Sequence, residues 1–129
     1  MTASITPLYA GLVALLFLAL SMRVARYRRA NQLSVGDYGD KKLEARMRAQ
    51  ANCAEYAPIG LILILLVELQ GAPVIAVHIL GLMLVLGRAM HAYGFSKHPQ
   101  IIPLRAGGMI LTFSVLLFGS LGLIGHSLF

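Results

Sequence analysis

An all-α bundle of four membrane-crossing helices is the fold this sequence predicts. Three observations lead there. Of the 129 residues, 58% are hydrophobic and 12% charged, whereas a typical soluble domain has about 45–50% apolar and about 25% charged residues. The apolar residues form four runs, each close to the ~20 residues a transmembrane helix requires. The basic residues gather between the first and second runs and between the third and fourth. A chain of this size and a mean hydropathy of +0.78 excludes a disordered segment and an ordinary water-soluble domain. The one cysteine, Cys53, excludes an intramolecular disulfide framework. No Cys/His cluster has metal-ligand spacing. One domain covers the whole of residues 1–129.

The first helix is expected over residues 4–28, around the apolar run Leu8 to Met22. Its positive charges follow the run and no A-x-A site appears, so it reads as a span and not as a signal peptide. The segment that follows is basic and carries turn signals at Ser34-Val35-Gly36-Asp37 and Tyr38-Gly39-Asp40. Asp40 suits the N-cap of the second helix, expected over 41–69, with Glu44 in its first turn. Gln70-Gly71-Ala72-Pro73 is a short turn, with Gly after one helix and Pro before the next. The third helix is expected over 74–95. The fourth is expected over 103–127, with Pro103 in its first turn.

Lys and Arg occupy positions 23, 26, 28, 29, 41, 42, 46, 48, 88, 97 and 105. All lie in the two connections on one side or in the helix turns beside them. By the positive-inside rule that side is cytoplasmic and both termini face away from it. The net charge of +6 is then explained by topology and anionic lipid headgroups, and no nucleic-acid-binding fold is present to use it otherwise.

Several polar residues do not belong in lipid. At 1.5 Å per residue, 41–69 spans about 42 Å, longer than the ~30 Å hydrocarbon core, so its first turns lie in the interface. At ~100° per residue, Asn52 falls about 40° to one side of Arg48 and Glu55 about 20° to the other, with Tyr56 ~80° away. These share a stripe, and Gln50 points elsewhere. Glu55 precedes an unbroken apolar run from Ile59 to Val67. An acid at that depth costs several kcal/mol unless paired or wetted. Arg88 and His91 on the third helix and Arg105 on the fourth lie at the same depth. Glu68, His78 and His126 stand near the opposite ends of their helices. Each residue also has a plain structural reading. Arg48 can snorkel to the interface, Glu55 with Arg88 or Arg105 can be an ion pair fixing helix register, and His91 can be a core histidine. Together, several cations, one acid and amide donors suit a small zwitterion with more carboxylates than amines.

Arg48-Ala-Gln-Ala-Asn52-Cys-Ala-Glu55-Tyr56-Ala-Pro58 resembles the second-helix signature of the MAPEG superfamily, the membrane-associated proteins in eicosanoid and glutathione metabolism. Gly87-Arg88-Ala-Met-His91-Ala resembles its third-helix motif, Leu104-Arg105-Ala106 the start of its fourth helix, and Arg28-Arg29-Ala30 the basic pair ending its first. The resemblance covers essentially the whole chain. It implies a homotrimer of four-helix bundles with glutathione, as co-substrate, held between neighbouring subunits near the cytosolic side. It implies glutathione contacts from Arg48, Asn52, Glu55, Tyr56 and His91, with Arg28 and Gln50 lent by the adjacent subunit. Arg88 joins this set from the depth reading alone. Arg105 matches an arginine that stabilises the glutathione thiolate, and Arg29 one that assists the second substrate. A free thiol titrates near 8.5, and lowering that by two units takes about 2.7 kcal/mol, which one well-placed guanidinium can supply. The second substrate would be an apolar electrophile arriving from the bilayer, conjugated by a transferase or reduced by a peroxidase.

The chain departs from the pattern at Phe95, where several members have tyrosine. Ala106 and Ala51 replace a serine and an arginine of prostaglandin E synthase, which argues against prostaglandin isomerase activity. The short loops resemble bacterial members, implying the inner membrane. Two other readings compete with this one: a non-catalytic lipid-binding or accessory protein on the same scaffold, and a small four-span exporter. The first helix lacks the carboxylate an exporter requires, and the presence of Arg105 favours catalysis.

Overall fold

The computed structural model describes residues 2–129. It consists of α1 (Thr6–Asn31), α2 (Lys41–Leu69), α3 (Val74–Ser96) and α4 (Ile102–Leu128). Each is long and apolar enough to cross a membrane, and no strand occurs among the described residues. The chain is an all-α four-helix membrane bundle. The core is thin: Val13, Ile64, Val77, Leu84 and Val115 are buried, while Leu15, Ile75, Ile110 and Phe118 are exposed. That inversion suits a lipid solvent, which accepts apolar side chains on the outside.

α1 starts and ends later than the 4–28 expected from its apolar run. At its start the cause is Glu68, at the far end of α2. Its carboxylate accepts the backbone N–H groups of Ser4, Ile5 and Thr6, each at 2.7 Å. These are orphan amides of a helix start, and α1 has no side-chain cap of its own. At its end, Gln32 adopts a left-handed conformation (φ 55°) and its N–H reaches the Arg28 and Arg29 carbonyls. α2 starts where Asp40 caps it, Oδ1 accepting from the amides of Lys42 and Leu43 at 2.8 and 3.2 Å.

The Tyr27 hydroxyl donates to the other Asp40 oxygen at 2.6 Å. That bond, then those from the two amides, holds the Asp40 carboxyl below the usual carboxylate range. A carboxyl lowered on folding contributes stability above its unfolded titration, and the contribution is lost as pH falls through the lower folded value. Amide exchange at Lys42 and Leu43 is therefore expected to speed up, relative to mid-α2, on acidification below about pH 4. In Asp40→Asn the two amides are expected to exchange faster at neutral pH and to lose that acid dependence. An acid dependence unchanged by Asp40→Asn would show that another group controls it.

The closest helix pair is α3 and α4. A Cβ at Gly108 would stand 2.5 Å from the Gly87 carbonyl oxygen and from the His91 backbone nitrogen. Only a residue without a side chain allows backbones this near. α1 packs on α2 and α3 but not on α4. At the end away from the basic connections, the Tyr9 ring lies where a Gly81 side chain would be, and its hydroxyl meets His78 Nδ1 at 2.7 Å.

Candidate functional site

α2 presents the stripe in two directions. Arg48 and Glu55 face outward, each side chain about half exposed, with Nη1 and Oε1 3.8 Å apart. Asn52 turns inward. Its side-chain Oδ1 and its backbone carbonyl accept from Arg88 Nη1 at 2.6 and 3.1 Å. Arg88 is 1% exposed. Its Nη2 lies 3.2 Å from Met109 Sδ, its Nε has no partner, and its guanidinium sits 5.6 Å from the Tyr56 ring centre. Tyr56 in turn packs edge-on against Phe113 of α4.

The depth reading joined Glu55 to Arg88 or Arg105; the structure does not. The described residues include two ion pairs, Lys41–Glu44 and Arg48–Glu55, so Arg88 is a buried cation without a carboxylate. It acts on Asn52 instead. With Oδ1 committed to Arg88, the Asn52 amide keeps both N–H donors for another partner. The burial of Arg88 also places it behind the α2 stripe, where it supports Asn52.

On α3, His91 is 3% exposed, backed by Gly108 and tilted against Phe95, ring centres 5.6 Å apart. The other neighbour of Phe95 is Arg105, whose guanidinium lies 4.4 Å from the ring centre and donates to Gln100 Oε1 at 2.9 Å. Phe95 and Gln100 thus hold Arg105 across the α3–α4 connection. Sequence reasoning missed both as supports. Phe95 registered only as a lost tyrosine, and Gln100 sits in a loop without a motif. No hydrogen bond or ion pair among the described residues links the Arg105 group to the α2 stripe.

Two of the remaining candidates bond to their own chain and the third is exposed. Arg28 donates to the Gly36 carbonyl at 2.9 Å and approaches Met47 Sδ at 3.2 Å, pinning the α1–α2 connection. Gln50 donates to Ser21 Oγ of α1 at 3.0 Å. Arg29 is exposed in the last turn of α1.

A family model described as MAPEG family matches residues 6–125 of this chain. The chain is 40% identical over 113 residues to "Inner membrane protein YecN" of Escherichia coli strain K12, covering 88% of this chain and 85% of that protein. The protein of the same name from Escherichia coli O6:H1 matches with the same identity and coverage.

Proposed function

This chain belongs to the MAPEG family and is a multi-pass integral protein of the inner membrane, and from that premise we propose that it is a glutathione transferase acting on a lipophilic electrophile. The observation that carries the reading is the outward charged face of α2. Arg48 and Glu55 stand half exposed on a helix that crosses the bilayer. Acyl chains would make that arrangement cost several kcal/mol. A second copy of the chain and a charged tripeptide would cover it.

In this reading the chain is a homotrimer with both termini facing away from the cytoplasm. Arg48 takes a glutathione carboxylate, Glu55 takes the ammonium, and Asn52 donates from an amide locked by Arg88. Tyr56 and His91 complete the subunit's own contacts. A neighbour lends Arg28 and Gln50, which requires Arg28 to exchange its carbonyl partners for the ligand. Arg105 favours the thiolate over the thiol, and the sulfur then attacks the electrophile, forming a carbon–sulfur bond as the leaving group departs. Arg29, at the basic rim, assists the second substrate. Peroxidase chemistry would use the same thiolate on a lipid hydroperoxide.

The test is saturable glutathione binding by detergent-purified protein, measured by equilibrium dialysis, with conjugation of a chlorodinitrobenzene acceptor measured alongside. Both are expected. Glu55→Gln should weaken binding on the order of tenfold, the worth of one charge-assisted hydrogen bond. Absence of binding by the wild type overturns the reading. Binding without turnover assigns the scaffold an accessory role.

A further inference from the structure

Two adjoining cavities on the outside of the bundle avoid every residue assigned above to glutathione. One is a groove of about 390 Å³ between α1 and α3, with Ala19 of α1 and Ala89 and Ala92 of α3 in its wall and Arg23 and Lys97 at its polar end. The other, of about 320 Å³, is lined by Arg23, Arg26, Tyr27 and Arg46. Arg23 lines both, so the apolar groove and the basic chamber adjoin across its side chain at the end of the bundle where the basic connections lie.

The cations there are held in place by groups other than carboxylates. Arg23 Nη1 donates to Ser96 Oγ at 2.6 Å, bridging α1 to α3 at the mouth of the groove. Arg46 lies over the Tyr27 ring, 4.4 Å from its centre, and donates to the Lys42 carbonyl at 3.1 Å. Lys97 lies over the Tyr93 ring at 4.7 Å. The nearby acid, Asp40, accepts instead from the Tyr27 hydroxyl and two backbone amides. None of Arg23, Arg26, Arg46 and Lys97 is in an ion pair among the described residues. Such a set attracts an anion with several acceptor oxygens.

We propose that the two cavities are one binding site for an anionic glycerophospholipid, with its phosphodiester among Arg23, Arg26, Arg46 and Lys97 and one acyl chain in the α1–α3 groove. The apolar groove selects this ligand over free phosphate. Alanine at 19, 89 and 92 leaves open a channel that longer side chains would fill, and the channel leads directly from the charged end along the membrane-crossing part of two helices. Basic pockets between transmembrane helices at the interface take anionic headgroups for the same reason. The site is independent of the glutathione reading and stands or falls without it.

Native mass spectrometry of the detergent-purified full chain tests the proposal, with phosphatidylglycerol, phosphatidylcholine of the same acyl chains, and inorganic phosphate as separate probes. Phosphatidylglycerol is expected to be retained on the order of tenfold better than phosphatidylcholine, as several near-surface cations acting together would give. Arg23→Gln with Arg26→Gln should abolish that preference, while Lys41→Gln with Lys42→Gln, an equal loss of charge outside the cavities, should leave it intact. Ala19→Leu with Ala89→Leu, both at exposed positions, should reduce lipid retention without touching a basic residue, so the test survives if the arginine variant fails to fold. Equal retention of both lipids, equal loss in the lysine variant, or unchanged retention in the alanine variant would each overturn the proposal. So would competition by inorganic phosphate at the concentration of the lipid.

Discussion

Arg105→Ala is expected to lower conjugation at pH 7 by 10- to 100-fold while glutathione affinity falls by only about fourfold, the change linked to a two-unit shift of the bound thiol. A glutathione thiol at its ordinary value near 8.5 is about 3% ionised at pH 7; lowered by two units it is mostly ionised, so ionisation alone accounts for roughly 25-fold. The guanidinium is suited to this because Phe95 and Gln100 hold it by a ring face and an amide oxygen, neither of which neutralises its charge. The pH profile separates this role from a structural one. In wild type saturated with glutathione, kcat/KM for the electrophile should be nearly flat above pH 7. In Arg105→Ala it should climb tenfold per pH unit toward 8.5, as bulk ionisation takes over. Arg105→Lys should restore part of the flat region. Equal rates and equal profiles in wild type and Arg105→Ala would remove Arg105 from the mechanism.

The second expectation is a crossed result at Asn52. Asn52→Asp should stabilise the fold and weaken glutathione binding at the same time. Arg88 is buried beside Asn52 with no carboxylate partner. An acid of the same shape would give it one, turning a neutral acceptor into a charged one, a change worth about 1–2 kcal/mol at a hydrogen bond. The same substitution deletes both amide N–H donors that Arg88 leaves free and sets a negative charge against the glutathione carboxylates. That should cost 10- to 100-fold in affinity, the loss of about 1.5–3 kcal/mol. Thermal unfolding and dialysis on the one variant read the two effects separately. Stabilisation with unchanged affinity would make the Arg88–Asn52 contact architectural only.

What the sequence made legible was everything local. Apolar runs located the helices, and Asp40 announced the start of α2 because a cap acts on amides two and three residues away. The end of α1 was less legible, because a left-handed Gln32 carries no glycine signal. Its start falls two residues later than expected, because its capping group is Glu68, more than sixty residues on. The candidate site shows the same division. Counting residues places Glu55, Arg88 and Arg105 at one depth, but depth is only one coordinate. Some 60° of helix rotation separates Asn52 from Glu55, and that rotation decides which of them meets Arg88. The packing that sets it comes from α3 and α4, whose close approach at Gly87, Gly108 and His91 is a property of the pair.

The reach of Glu68 to Ser4, Ile5 and Thr6 also bears on how the protein is made. In hydrocarbon a helix start with bare amides is penalised, and the group that relieves α1 emerges from the ribosome only after α2 is complete. The first segment is therefore uncapped during its own synthesis, and residue 68, once made, ties the start of the first crossing to the finish of the second.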